Sequence, residues 1–126
     1  MAKTSADVVI VGGGIAGSAL ACALGGAPLR VVLIESAGLI QAQPQAGAGV
    51  AGYDVRVSAL GHAARQQLSR LGAWSRMAEV RVNPYTRMRV WDAQGTGAIE
   101  FDAAQLREPS LGHIVENRVC IWALQQ

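Results

Sequence analysis

The chain has 126 residues, about the size of one domain, and 51% of them are hydrophobic, which indicates a packed core and excludes a disordered chain. Its formal net charge is only +2 and its arginines are scattered, so the composition predicts no nucleic-acid-binding surface. Cys22 and Cys120 belong to no spaced cluster of ligand residues. We therefore predict two small core residues and no metal site.

The first feature along the chain is an uncharged run over residues 8–29, VVIVGGGIAGSALACALGGAPL. Its length would suit a membrane-spanning helix, and its short charged start followed by an apolar stretch resembles a secretory leader. However, its left flank carries only Lys3, which Asp7 balances. Three consecutive glycines, Gly12 to Gly14, would each cost a helix about 1 kcal/mol relative to alanine. The glycines therefore weigh against one continuous helix.

A strand, a glycine turn and a helix explain the same glycines one by one. The β-branched run at Val8–Val11 predicts a buried parallel strand that leads into G-x-G-x-x-G. In this motif Gly12 permits a tight turn, Gly14 lets the backbone approach a pyrophosphate, and Gly17 lets the helix pack closely on the sheet. The helix is predicted over residues 15–24, and its free amides and dipole favour a bound phosphate.

The second predicted strand, Arg30–Ile34, ends at an acidic residue. Glu35 follows the glycines by about 20 residues, the placement of a carboxylate that binds ribose hydroxyls. Because such a carboxylate repels a 2′-phosphate, FAD or NAD is favoured over NADP. The βαβ pattern therefore predicts an α/β fold that binds a dinucleotide.

Beyond Glu35, the pattern predicts a long loop over residues 36–52 and then an extended segment, YDVRVSALG, with Asp54, Arg56 and Ser58 on one face. An amphipathic helix beginning near His62 is predicted to stop near Gly72. The remaining predictions are a β-hairpin from TRMRVWD and AIEFD, a short strand HIV, and a helix over Val119 to Leu124 with Asn117 as its N-cap. His62 and His113 lack an evident catalytic partner, so we expect structural roles for both.

Several motifs resemble one family along almost the whole chain. They are DVVIVGGGIAGSALA, IE at Glu35, D-x-R-V-S-A-L at Asp54 to Leu60, RLG-x-W at Arg70 to Trp74, and LGHIVEN at Leu111 to Asn117. Together they resemble the ubiquinone-biosynthesis flavin hydroxylases, within the FAD monooxygenases similar to para-hydroxybenzoate hydroxylase. The nearest subgroup is the 2-octaprenylphenol hydroxylase type. The glycine motif is common to many proteins, whereas D-x-R-V-S-A-L and GHIVEN are more selective.

The resemblance implies FAD as cofactor, with seven cofactor-binding residues: Gly12, Gly14, Gly17, Glu35, Arg56, Asn117 and Arg118. The four residues of the βαβ unit match the family's adenosine-diphosphate site. Arg56 would contact a phosphate or the ribityl chain, while Asn117 and Arg118 would face the flavin chain. The plainer alternatives stay open: Arg56 as an exposed strand-edge arginine, Asn117 as a helix cap, and Arg118 in solvent. No catalytic acid, base or metal ligand is implied within this segment.

The resemblance also implies an activity. In the family, a flavin reduced by NAD(P)H activates dioxygen and a hydroxyl group passes to a phenol ring, which here would be a polyprenyl phenol of ubiquinone biosynthesis. Such an enzyme would be cytoplasmic and peripheral to the inner membrane, without spanning it. The motifs do not specify the phenol, the ring position, NADH against NADPH, or the oligomeric state.

By the family's layout, residues 1–126 form an incomplete, amino-terminal portion of a Rossmann-like FAD-binding domain, with an added β-hairpin at about residues 84–103 that begins the substrate domain. Later Gly-Asp and Asp-Gly motifs of the family have no counterpart here, so we expect this segment alone to be inactive and to retain FAD weakly or not at all. Two alternatives stay open: a NAD-binding dehydrogenase lobe, and a non-catalytic dinucleotide-binding module.

Overall fold

The computed structural model describes residues 5–45 and 52–126. Its elements, in chain order, are β1 Val8–Val11, α1 Ile15–Leu24, β2 Val31–Ile34, β3 Val57–Leu60, α2 His62–Arg70, α3 Ala73–Val80, β4 Asn83–Tyr85, β5 Arg87–Trp91, β6 Ala98–Asp102, a 3-10 turn Ala103–Leu106, β7 Gly112–Glu116 and α4 Asn117–Gln125.

The first structural unit is the predicted βαβ unit. Strands β1 and β2 are parallel, with Val8 opposite Val31 and Val11 opposite Ile34. The uncharged run is thus a strand, a turn and a ten-residue helix, and no helix of the described residues is long and apolar enough to cross a membrane. The predicted second strand loses Arg30, whose N–H donates to the Asp7 carboxylate at 2.7 Å.

The prediction that Val8–Val11 is a buried strand is wrong for one face, and the same face of β2 is exposed as well. Ile10 is buried, whereas Val11 is 82% exposed and Val9, Val32 and Ile34 are exposed as well. The reason is that α1 packs against one face, and no described element covers the other. The β-branched residues therefore predicted the strand correctly but did not predict how deeply it is buried.

The second unit is an antiparallel sheet with strand order β3-β7-β4. Its central strand β7 is largely buried, and helices α2, α3 and α4 form the main core with it. That core includes Cys120, which is fully buried as predicted, and Met77, Val119 and Ala123. Helix α4 packs on both α1 and α3 and so joins the two units.

The extended segment predicted from Tyr53 to Gly61 forms a strand only from Val57 onward. The prediction is wrong for residues 54–56, where the Asp54 carboxylate accepts the Arg56 N–H at 3.1 Å. A bond of this kind stabilises a local turn in place of a ladder. The part of the predicted loop over residues 46–51 lies outside the described residues.

The predicted helix from His62 does stop at Gly72, whose φ is +74°, but a second helix, α3, follows at once and was not predicted. Trp74 of this helix packs edge-to-face on His113, with ring centroids 5.0 Å apart. His62 shares a hydrogen bond of 2.9 Å with the Ser110 carbonyl. These contacts suit the structural roles expected of both histidines.

The prediction that Asn117 caps the last helix is also wrong. Asn117 is the first residue of α4, and Glu116 precedes it. Instead of bonding a helix amide, the Asn117 side-chain oxygen accepts the Ser58 hydroxyl at 2.6 Å. The helix start is thereby tied to the neighbouring strand β3.

The predicted hairpin is present as β5 and β6, and its two faces differ sharply. Met88 pairs with Phe101 and Val90 with Ile99 on an exposed apolar face. The opposite face carries charged pairs, among them Arg87 with Asp102 at 3.0 Å.

Candidate functional site

The glycine turn between β1 and α1 has the conformation that the motif requires. Gly12 has φ +102°, a region that side chains strongly disfavour. Its N–H donates to the Ile34 carbonyl at 2.8 Å, so β1 and β2 stay paired up to the turn. The predicted tight turn at Gly12 is confirmed.

Gly17 and Gly14 differ in their surroundings, as their two predicted roles demand. A Cβ on Gly17 would lie 1.9 Å from the Gly12 carbonyl oxygen, so only glycine allows α1 to approach β1 this closely. A Cβ on Gly14 would meet no atom within 4 Å. Gly14 therefore borders open space, and a ligand can approach its backbone there.

Gly13 also has a role, which the sequence analysis missed. Its N–H donates to the Glu35 carboxylate at 2.6 Å, and a Cβ there would lie 3.0 Å from the Cβ of Glu35. Because Gly13 has no side chain, the Glu35 side chain that follows β2 can lie directly against the glycine turn. The available signal was a glycine between Gly12 and Gly14, at a position where the G-x-G-x-x-G motif allows any residue.

Glu35 is held by three donors. Besides Gly13, the Ala37 N–H donates to it at 2.8 Å and the Ser36 hydroxyl at 3.3 Å. Bonds from the backbone N–H groups, that of Ala37 first and that of Gly13 second, hold the pKa of Glu35 below its ordinary value. A carboxylate offers about four acceptor positions, so this anion retains room for a sugar hydroxyl.

The N-terminus of α1 is the second electrostatic feature of this turn. The amides of Gly14, Ile15 and Ala16 precede the first helical bond, which runs from the Ser18 N–H to the Gly14 carbonyl at 2.9 Å. Aligned peptide dipoles place roughly half a positive charge at this end. No acidic side chain lies in the first turn, so the turn offers N–H donors to an anion next to the Glu35 carboxylate.

The other three predicted site residues lie together at the start of α4. Arg56 is exposed, and its carbonyl accepts the Asn117 N–H at 2.9 Å. Arg118 is not simply in solvent, because its Nε donates to Glu116 at 2.9 Å and its Nη2 to the Gly52 carbonyl at 2.7 Å. The alternative of an unattached Arg118 is therefore wrong.

Glu116 organises this second cluster, and the sequence analysis missed it. Its buried carboxylate accepts bonds from Arg118, from the Asp54 N–H at 2.9 Å and from the Nε of Arg81 at 2.9 Å. Burial by itself raises the pKa of Glu116, but the Asp54 N–H and the two guanidinium groups outweigh it, and the net pKa is lowered. The Glu116 carboxylate therefore holds the Arg118 side chain and, through the Asp54 N–H, the backbone two residues before Arg56.

The two clusters lie toward opposite ends of α4. The glycine turn contacts Gln125 at its last turn, while Arg56 contacts Asn117 at its first residue. Eight helical steps correspond to about 12 Å. The glycine turn therefore combines an open backbone, a helix N-terminus and an adjacent carboxylate, and the arginine cluster is separate from it.

Comparison with known proteins gives a consistent result. The sequence profile of the DAO family, FAD-dependent oxidoreductases, matches residues 7–118. The chain is 37% identical over 126 residues to the 3-demethoxyubiquinol 3-hydroxylase of Escherichia coli K12. This match covers all of the present chain and 31% of the E. coli protein. It is 38% identical over 124 residues to the mitochondrial ubiquinone biosynthesis monooxygenase COQ6 of Xenopus tropicalis, and 36% over 119 residues to the ubiquinone hydroxylase UbiL of Rhodospirillum rubrum. The chain spans about a quarter to a third of the length of these relatives.

Proposed function

The chain belongs to the FAD-dependent oxidoreductase family, and from this premise we propose that it is the FAD-binding portion of an aromatic-ring hydroxylase in ubiquinone biosynthesis. The similar proteins are named as ubiquinone hydroxylases and monooxygenases, which supports the reaction class. The family match also favours a flavin cofactor over the alternative of a NAD-binding dehydrogenase lobe.

The observation that carries the proposal is the bond from the Gly13 N–H to Glu35, which brings the glycine turn and an ionised carboxylate together at the N-terminus of α1. In this arrangement the amides at Gly14 bind the diphosphate, while Gly12 and Gly17 give the turn its shape. Glu35 accepts a ribose hydroxyl. The acidic side chain disfavours a 2′-phosphate at the same place.

The second cluster then serves the other half of the cofactor. The exposed guanidinium of Arg56 suits a phosphate oxygen or a ribityl hydroxyl, because its planar donors can form paired bonds. Asn117 bonds the Arg56 carbonyl through its N–H, and Glu116 fixes the position of the neighbouring Arg118. The flavin, when bound, supplies the redox and oxygen chemistry. The role of the chain is to bind and orient the cofactor, and no catalytic side chain is assigned to it.

We also assign the hairpin β5–β6 to the start of a substrate domain, with residues 1–126 as the amino-terminal portion of the FAD-binding domain. The hairpin's exposed apolar face supports this assignment, because two strands alone are marginal in water. The proposed substrate is a polyprenyl phenol, with NAD(P)H as electron donor and dioxygen as co-substrate. Because this substrate is a lipid, we propose that the full-length enzyme is a cytoplasmic protein peripheral to the inner membrane.

Titration of the full-length protein with FAD, followed by quenching of flavin fluorescence, tests cofactor binding. Gly14→Ala is expected to weaken FAD binding at least tenfold, because the methyl group occupies the space where the diphosphate approaches. Gly26→Ala is the matched control, since a Cβ there also meets no atom within 4 Å but lies beyond the far end of α1. Equal affinities for both variants would contradict the proposed site.

Turnover assays on the full-length protein separate the enzyme from the alternative of a non-catalytic module. A hydroxylase oxidises NAD(P)H in the presence of FAD, dioxygen and a prenylated phenol, and it releases a product heavier by one oxygen atom. A module binds FAD without either activity. Mass spectrometry of the phenol, with ¹⁸O₂ as oxygen source, distinguishes hydroxylation from uncoupled oxidation of the nicotinamide.

A further inference from the structure

The Gly13 carbonyl accepts two side-chain hydrogen bonds that no role described so far requires. The Ser18 hydroxyl donates to it at 2.9 Å from within α1, where Ser18 is 2% exposed. The side-chain amide of Gln125 donates to it at 3.1 Å from α4, 112 positions away. Two separate elements therefore converge on one backbone oxygen of the glycine turn.

The orientation of the Gln125 amide is determined by its second contact. Its Oε1 accepts the Ile40 N–H at 2.8 Å, so its Nε2 must face the Gly13 carbonyl. The reverse orientation would oppose two N–H groups at Ile40 and two oxygens at Gly13. The donor at the carbonyl is thus defined by the hydrogen-bond network.

These bonds orient the peptide that joins Gly13 to Gly14. In a trans peptide the C=O and the following N–H point in opposite directions. Because the carbonyl points to Ser18 and Gln125, the Gly14 N–H points away from both side chains, and a Cβ on Gly14 would meet no atom within 4 Å. Consecutive glycines have the greatest backbone freedom, and a flip of this peptide would present a carbonyl oxygen to an anion.

We infer that Gln125 and Ser18 are positioning residues that hold the Gly13–Gly14 peptide with its N–H directed at the ligand diphosphate. The inference rests on the proposed function, because it concerns how the same site meets its phosphate. Neither side chain touches the ligand. Both act through the Gly13 carbonyl, and Gln125 links α4 and the segment after β2 to the turn.

The test measures the affinities of the full-length protein for ADP and for adenosine by calorimetric titration. Gln125→Met removes the amide at nearly constant volume and charge, Ser18→Ala removes one hydroxyl, and Gln126→Met is the matched control at the adjacent exposed position. Each single variant is expected to bind ADP about 3- to 10-fold more weakly, the usual effect of one neutral hydrogen bond. Adenosine affinity stays within about twofold, and Gln126→Met matches the wild type.

The double variant is expected to weaken ADP binding by more than the product of the two single effects, because only then has the carbonyl lost both donors. A merely structural role would lower the affinities for adenosine and ADP alike, and that result would overturn the inference. Unchanged ADP affinity in both single variants would overturn it as well. Ser18→Ala leaves α4 and the Ile40 contact in place, so it tests the carbonyl contact even if Gln125→Met unfolds. A full-length wild-type protein that binds neither FAD nor ADP would instead overturn the proposed function itself.

Discussion

Replacing Gly17 with alanine tests whether the close approach of α1 to β1 is a packing requirement of the turn. The new Cβ would lie 1.9 Å from the Gly12 carbonyl oxygen and 3.3 Å from the Ile10 side chain, whereas Cβ contacts below 3.0 Å essentially never occur. The helix or the turn must therefore move by at least 1.1 Å. The obstructing atom belongs to the backbone, so no flexible side chain can relieve the clash.

The expected loss of stability follows from two opposing effects. Overpacking costs typically about 1–3 kcal/mol, with the upper end appropriate to a backbone clash. Alanine in place of glycine within a helix returns about 1 kcal/mol. We expect a net loss of about 2 kcal/mol in the free energy of unfolding, or roughly 8 °C in melting temperature for a domain of this size.

Urea denaturation followed by tryptophan fluorescence measures this loss, since Trp122 is buried in the main core. Gly14→Ala is the comparison, because its Cβ meets nothing within 4 Å and its φ of −70° suits alanine. That variant should change stability by less than about 1 kcal/mol while losing affinity for FAD. A Gly17→Ala protein as stable as the wild type, or a Gly14→Ala protein destabilised to the same extent, would refute the reasoning.

Three further predictions concern the second unit. Glu116→Gln should lower the free energy of unfolding in urea by about 1–3 kcal/mol, because a neutral amide accepts the hydrogen bonds from Arg81 more weakly than a carboxylate does. Since the pKa of Glu116 is lowered in the folded chain, its ionised form stabilises the fold above pH 4.5, the ordinary pKa, and this stabilisation is lost as the pH falls below that value. A variant whose stability falls with acid as steeply as that of the wild type would contradict this. Burial, followed by nearby Arg65 and His62, lowers the pKa of His113, so the unfolded chain binds more protons and stability should fall as pH drops below 6.5; His113→Gln should flatten that slope in melting scans at pH 5 to 8. Burial raises the pKa of the Cys120 thiol to about 11, so iodoacetamide at pH 8 should modify only Cys22 in the native chain and both thiols in urea. Peptide mass spectrometry that finds Cys120 modified in the native chain would contradict its buried position.

The βαβ unit could be predicted closely because its constraints are local. The turn requires Gly12 for its positive φ, and the contact of α1 with the turn requires Gly17. Both requirements fall within six residues, so the spacing of the glycines is enough to predict the local structure. Helix α1 was predicted with its observed bounds for the same reason. The burial of β1 could not be predicted in this way, because it depends on which elements cover the sheet.

The second cluster and the Gln125 contact lay beyond sequence reasoning because their partners are distant along the chain. Glu116 meets Arg81 across 35 positions and Asp54 across 62, and no local pattern marks such pairs. Asn117 is of a residue type that is favoured at N-caps, yet its side chain instead accepts a hydrogen bond from the distant Ser58. Helix α3 was missed because Gly72 was interpreted as the end of helical structure, whereas it ends one helix and begins the next.

The bond between Gly13 and Gln125 has a consequence for synthesis on the ribosome. At about 5–20 residues per second, the 112 positions between them take roughly 6 to 22 s to translate. During that interval β1 and α1 exist without the amide that completes their turn, and α1 lacks the helix α4 that packs on it in the folded chain. The nascent segment is therefore expected to capture nucleotide poorly and to remain a substrate for chaperones until α4 has docked.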